Sequence, residues 1–460
     1  MPEPARTLRD AFNAVDPAQP LQPGDPRYVD CTDVRGDEDV VGTLFNAITR
    51  SDRSLHQLCT GHRGSGKSTE LLRLKARLEQ AGYEVIYFEA DDDLDLNDLE
   101  YSDLLLAAAR RIEAGARERG VSLDQELKSI ERWFAEVVYS QQEWRQMERE
   151  LQAEASLGIG LPEGIPLIAR LFAKLTGQIK TGQAVKQEVR RKLDQQVSQL
   201  IAGVNDLLQR LEVEVRNKGR QGVVLVVDNL DRVTLRDLEG GRTSHEALFV
   251  EHGEPLRALK CHAIYTVPIS MLYSTKATQL TSLFPRYQIV PMIRVSDRNG
   301  DEFPKGLARL RDILARRIDL SPLFEPDALD ALCRASGGHP RQLMALTTYA
   351  IDYADERAPR PVAAKAAARA VGRLVNEYGR MIPEAHFPLL ARVHRLKSVQ
   401  NDRDHQTMLY NLSVLEYTDG QPAWHDVHPV VLHLPKFQEA WEREQQSEIE
   451  SRRKPKRHSR

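Results

Sequence analysis

The nine residues Gly61-His62-Arg63-Gly64-Ser65-Gly66-Lys67-Ser68-Thr69 carry the most specific chemistry in the chain. They fit the spacing G-x-x-x-x-G-K-[ST], a loop that cradles nucleotide phosphates. Gly61, Gly64 and Gly66 let the backbone curl around Ser65 until several N–H groups point inward at phosphate oxygens. Lys67 would reach the β- and γ-phosphates, the Ser68 hydroxyl would hold Mg²⁺, and Thr69 would support the loop. A second anchor is Asp228, which ends the five-residue apolar run Val223 to Val227. An acid at such a strand tip, beside a phosphate loop, can hold Mg²⁺ through its water shell. Asp231 lies three residues on. It would polarise an attacking water, or cap a helix and pair with Arg232.

Other candidates are more open. Thr266 closes an apolar run and would contact the γ-phosphate or orient water, or be an ordinary strand threonine. Arg286, in Leu283 to Val290, would reach the nucleotide of an adjacent copy or lie on the surface. Arg341 follows Pro340 at the start of a helix and faces whatever docks there. Tyr28 and Arg35, upstream of the loop, would wrap a base or simply pack. The acidic run Glu89, Asp91, Asp92, Asp93, Asp95 reads as a solvated loop capping the next helix rather than a metal cluster. His425, His428 and His433 lack acidic or cysteine partners at ligand spacing, so no metal is assigned to them.

These residues need a frame. An apolar strand, 55–59, leads into the loop, and an amphipathic helix with Leu71, Leu72, Leu74 and Leu78 leaves it. Further strands are expected at 28–34, 83–90, 223–228 and 287–295, and 262–274 reads as a strand followed by a loop, with helices at 37–50 and 99–118. Between Lys67 and Asp228 the chain is longer than the core requires. Residues 121–218 read as an insertion of two long helices joined by the apolar segment 156–182, forming a projecting hairpin. One stripe of that insertion runs Val185, Val189, Leu193, Val197 and onward. Its apolar segment contains Pro162, Glu163, Pro166 and Arg170, so it does not span a membrane. Residues 1–27 are proline-rich and expected to be flexible, 28–300 form the nucleotide domain, and 301–380 a helical lid. Residues 381–440 combine short helices with a hairpin, as a winged helix does, and 441–460 end in SRRKPKRHSR, with six Lys or Arg and no acid.

Composition sets broad bounds. The chain has 460 residues, 41% hydrophobic and 28% charged, with net charge −3, so the molecule as a whole is not built to bind polyanions. Four scattered cysteines without paired spacing suggest free thiols, a reducing compartment and no zinc site. The opening MPEPARTLRD carries no apolar stretch of a secretory signal, and a cytoplasmic protein is expected.

With the phosphate loop, the Asp228 strand, Thr266, Arg286 and Gly337-Gly338-His339-Pro340-Arg341 in this order, the chain resembles the AAA+ and STAND branches of P-loop ATPases. The resemblance covers roughly residues 28–435, with 121–218 outside it. It implies an α/β fold: a five-stranded parallel core in order 5-1-4-3-2, a helical lid and a winged helix. It also implies ATP and Mg²⁺ as ligands, with Thr266 as the first sensor residue, Arg286 as an arginine finger and Arg341 as the lid arginine. Pro340 would be the proline near adenine. The look is closest to bacterial STAND-like or KAP-like proteins of defence and signalling. One departure is Asn229, where AAA+ enzymes usually carry a water-activating glutamate; Asp231 would then substitute.

Three functions follow as expectations. The first is a slowly hydrolysing ATP switch that forms homo-oligomers on binding ATP and acts through a separate effector protein. The second is a DNA-loading or remodelling ATPase that grips nucleic acid with its winged helix and basic tail. The third is a scaffold that keeps ATP unhydrolysed.

Overall fold

The computed structural model describes residues 3–17, 20–157, 159, 165–181, 187, 190–193, 195–420 and 422–453. Pro162, Glu163, Val185, Val189 and the last seven residues of the basic tail lie outside them.

Five strands form one parallel sheet: β1 (His56–Gly61), β2 (Tyr83–Glu89), β3 (Gly222–Asp228), β4 (His262–Pro268) and β5 (Arg286–Ile289). Their order is β2-β3-β4-β1-β5, which is the expected 5-1-4-3-2 read from the other edge. Every residue of β3 is buried, as an uninterrupted apolar strand requires when both faces are covered. Val224 and Val226 pack with Leu44, Ile48, Leu71 and Leu78 on one face, from the helices Val40–Thr49 and Lys67–Gln80. Val223, Leu225 and Val227 pack on the other.

That second face is covered by the insertion, which corrects the projecting hairpin. It contains the helices Asp124–Trp133, Gln141–Ser156, Leu167–Thr181 and Val197–Asn217, which share one core with Tyr101–Glu118 and the sheet. The break is local chemistry. The Ser140 hydroxyl accepts from Glu143 N at 3.3 Å while Glu143 Oε2 accepts from Ser140 N at 2.6 Å, a capping box that starts a new helix. Ile168, Leu171, Phe172 and Leu175, spaced along one helical face, are buried against that core. Among the described residues no helix is long and apolar enough to cross a membrane.

Two expected strands change. Residues 28–31 have no regular structure and lead into a single helical turn, Thr32–Val34. Asp30 Oδ1 takes the Thr32 N–H at 2.9 Å, a side-chain bond that competes with a strand ladder. β5 ends at Ile289 because Pro291 has no N–H for the ladder. The following backbone bonds elsewhere: Met292 N to Glu416 O, Ile293 N to Gly338 O and Arg294 N to Val34 O.

Beyond the sheet, the helices Pro304–Ala315, Pro326–Ala335, Pro340–Asp352 and Ala364–Met381 occupy the stretch expected as a helical lid. One apolar core joins them to the C-terminal helices His386–Leu396 and Arg403–Tyr410. The hairpin β6 (Val414–Tyr417) and β7 (Trp424–Val427) is almost wholly buried, with Leu415, Tyr417 and Trp424 against Met292. It therefore does not stand out as an exposed wing. The N-terminal 27 residues, expected to be flexible, include the helix Leu8–Ala14, whose Ala11, followed by Val15, is buried in the lid core.

Candidate functional site

The loop from Gly61 to Ser68 leaves the tip of β1 and opens the helix Lys67–Gln80, whose first N–H groups face the loop interior. Lys67 Nζ donates to Gly61 O at 2.9 Å and His62 O at 2.8 Å, and pairs with Asp231 Oδ2 at 2.8 Å. Arg35 braces the loop from outside, donating to Ser65 O at 2.8 Å. Asp228 is fully buried; it accepts the Tyr87 hydroxyl at 2.7 Å and the Asn229 N–H at 2.6 Å. Burial, then the nearby Asp231 carboxylate, raise the Asp228 carboxyl above its usual range, while a hydrogen bond with the Ser68 side chain opposes them. The Ser68 hydroxyl and the Asp228 carboxylate thus stand side by side as hard oxygen donors. Such a pair fits Mg²⁺, which keeps its waters and phosphate oxygens and takes only one or two protein ligands.

Thr266 lies on β4, in register with Cys59 of β1. Its buried hydroxyl accepts the Leu230 N–H at 2.9 Å, so it holds the turn that carries Asp228 and Asp231. The turn itself rests on Asn229, which is left-handed at φ 63°. The Asn229 amide donates to Glu89 Oε2 at 2.6 Å and Asp91 Oδ1 at 2.7 Å, and Arg232 pairs with Asp91 at 2.7 Å. The acidic run is therefore not a solvated loop. Glu89, at the tip of β2 opposite Asp228, and Asp91 hold the Asn229 amide, while Asp93 is buried against Arg110 and Arg111. Burial, then the Asp228, Asp91 and Asp92 charges, raise the Glu89 carboxyl.

The lid closes the other side of a cleft. Its wall includes Arg341 and Pro340, which face Arg63, Arg232 and the loop. Burial, then Arg232 and Arg63, lower the Arg341 guanidinium from its usual range: cations crowd here without enough anion. His339 fastens lid to loop. Its Nδ1 accepts the Gln342 N–H at 3.1 Å, so Nε2 carries the proton and donates to Arg63 O at 2.6 Å. Leu21, Val29, Ile313 and Met344 add apolar lining to the cleft, together with Tyr28. Tyr28 lies under the Arg73 guanidinium, 4.1 Å from ring centre, and bonds Glu70 at 3.2 Å. Leu21 N donates to Thr69 Oγ1 at 3.2 Å, so the N-terminal segment borders the loop directly.

Arg286 is not brought to this cleft. It is exposed and paired in register with Gln57, at the end of β1 away from the loop. His62, by contrast, turns from the loop to the C-terminal hairpin, accepting the Glu416 N–H at 2.9 Å. His425 bonds Glu416 Oε2 at 3.3 Å and His428 stacks on Tyr378, which gives both histidines places in the core. The four cysteines are free and buried. Sequence reasoning missed Glu89, Arg63, Arg232 and Leu21 as site residues. For Glu89 a signal was available: it ends the strand beside the one that ends in Asp228.

The chain matches no protein-family model and no curated protein. Among solved structures it is similar to an Aeropyrum pernix Orc1 protein in complex with DNA, at 14% identity and TM-score 0.35, covering 90% of this chain and 94% of that one. It is also similar to Cdc6p from Pyrobaculum aerophilum, at 10% identity and TM-score 0.36, covering 94% and 98%. A Walker-type ATPase of Pyrococcus abyssi gives 11% identity and TM-score 0.36, covering 91% and 99%.

Proposed function

We propose that the chain is a Mg²⁺-dependent ATPase of the AAA+ type. The observation that carries this reading is the cleft itself. Lys67, Arg63, Arg232 and Arg341 line it with the backbone of the loop, Ser68 and Asp228 offer the cation its oxygens, and Val29, Ile313 and Met344 give it apolar lining for a base. Phosphoryl transfer needs positioning and charge neutralisation more than covalent help, and these groups supply both. On binding, Lys67 would give up the Gly61 and His62 carbonyls for phosphate oxygens and keep Asp231 as its counter-ion. Arg341 would come to lie against the transferring group as the lid seats. Arg286, exposed and remote from its own loop, is assigned to the site of a second copy. In titrations with a fluorescent ATP analogue, Lys67→Ala loses Mg²⁺-dependent binding; wild-type affinity in that variant would remove the site assignment.

Two finer readings attach to this ATPase. The DNA-acting reading goes first: six Lys or Arg without an acid in the last ten residues are suited to a phosphate backbone through counterion release. The buried hairpin moves that contact from a wing to the tail and the exposed helix faces. DNA affinity that falls steeply with salt, and less steeply once residues 451–460 are removed, is the expected result. The slow-switch reading rests on Asn229 in place of a glutamate, and predicts tight ATP retention with little turnover.

A further inference from the structure

We propose that Glu89, and not Asp231, is the carboxylate that takes the proton of the water attacking the γ-phosphorus, and that Asn229 is the residue that positions it. The inference rests on the ATPase reading and deepens it.

Three observations carry it. First, place: Glu89 ends β2 and is the register partner of Asp228, so the two acids stand on neighbouring strand tips, about 4.8 Å apart between backbones. One is buried beside Ser68. The other is only half-buried and lines a groove with Leu21 and Asp16, open to a water molecule. Second, orientation: Asn229 donates to Glu89 Oε2 at 2.6 Å and, through the same amide nitrogen, to Asp91 at 2.7 Å. The Asn229 side chain is itself fixed by a buried, left-handed backbone. Among the described residues Glu89 has no ion-pair partner, and Arg232 is directed to Asp91 instead. One carboxylate oxygen is thus clamped and the other is left to accept a proton. Third, the rival is engaged: Asp231 is a buried counter-ion to Lys67 at 2.8 Å, and a carboxylate in such a pair is a poor base.

In the step, the water oxygen bonds to the γ-phosphorus and its proton passes to the free Glu89 oxygen. The bond from phosphorus to the β–γ bridging oxygen breaks, and its electron pair stays on the departing ADP. The proton is later released with phosphate. The missing acid after Asp228 is, in this view, displaced by one strand. The chain keeps one carboxylate and one amide at the two tips, with their positions exchanged.

The experiment compares the full chain with Glu89→Gln, Asp231→Asn and the double exchange Glu89→Asn/Asn229→Glu. Three quantities are read: affinity for a fluorescent ATP analogue, the identity of the nucleotide retained after loading with ATP, and the single-turnover cleavage rate. Glu89→Gln is expected to bind as the wild type does and to retain ATP where the wild type retains ADP. Its cleavage should be slower by about 10²-fold or more, the range for loss of a general base. The double exchange should recover part of that loss. Asp231→Asn should alter affinity, through Lys67, more than cleavage. Undiminished cleavage by Glu89→Gln with bound nucleotide would overturn the inference alone, and a rate lost only in Asp231→Asn would return the role to Asp231. A wild type that binds no nucleotide would overturn the ATPase reading as well.

Discussion

Lys67, Ser68 and Asp228 stand out in the sequence by type and spacing, and the fold brings Ser68 against Asp228 and Lys67 against Asp231. What surrounds them is not legible there, because it depends on which atoms a three-residue turn presents. Thr266 bonds Leu230 N, and Asp231 neutralises Lys67 rather than standing free. Gly64 shows how closely the lid sits. Its φ is 86°, and a Cβ there would lie 2.6 Å from His339 Cε1 and 2.8 Å from Arg341 Cβ. A left-handed alanine alone costs about 1–2 kcal/mol, and the lid residues would have to draw back as well. Gly64→Ala is therefore expected to fold, to melt several degrees lower, and to bind ATP about tenfold more weakly or worse, since each 1.4 kcal/mol is tenfold in affinity. Thermal denaturation and nucleotide titration check this together. Unchanged affinity would mean that Arg341 and His339 do not act on the nucleotide from their present places.

Elements were readable where one hydrophobic period ran unbroken, as in β3 or Lys67–Gln80, and misread where a local bond interrupted it, as at Ser140 or Asp30. The contact between loop and lid lies beyond such reading, since His339 and Arg63 are far apart in the chain and meet through one hydrogen bond. Burial of the His339 imidazole makes this contact sensitive to acid. Burial, then the Arg341 and Lys67 charges, lower His339 to about 4 from an ordinary 6.5, against the Arg63 carbonyl, which favours the charged ring. His56 and His245 are likewise held at about 4 and His428 at about 3, each chiefly by burial. In every case the folded state binds the proton less readily than the unfolded one. Their contribution to stability is complete above pH 6.5 and is lost as pH falls toward 4. Urea midpoints should accordingly drop between pH 7 and pH 5. His339→Asn keeps a helix-capping side chain but loses the reach to Arg63 O. It should show a shallower pH dependence and weaker nucleotide binding at neutral pH; a slope equal to the wild type's would assign the acid sensitivity to the other histidines.

Across the whole molecule, one core joins the first helix, the lid and the C-terminal helices, and no local pattern announces a core built from contacts between residues near 5, 30, 290 and 430. The same core ties the N-terminal segment to the cleft beside the loop. Ala5 pairs with Ile318, Val15 is fully buried, and Leu21 bonds Thr69. Burial of a valine side chain alone contributes about 1.5–3 kcal/mol. Removal of residues 1–22 should therefore lower both the melting temperature and ATP affinity, while the P-loop side chains stay in place. What the fold does not do is bring Arg286 to its own loop. That residue and the exposed Tyr287 open the edge strand β5, at the end of the sheet away from the phosphates. If Arg286 serves catalysis, it serves a neighbouring copy, and two consequences are tied together. Light scattering should give a larger molar mass with a non-hydrolysable ATP analogue than with ADP. Turnover per chain should then rise with protein concentration, and Arg286→Ala should abolish that rise while leaving nucleotide affinity unchanged. Mixing Arg286→Ala with Lys67→Ala chains separates the roles. The first supplies an intact cleft and the second an intact arginine, so activity in the mixture above that of either alone requires a site shared between copies. A single molar mass with both nucleotides, and a mixture with no gain, would confine the chemistry to one chain and leave Arg341 as the arginine of the site.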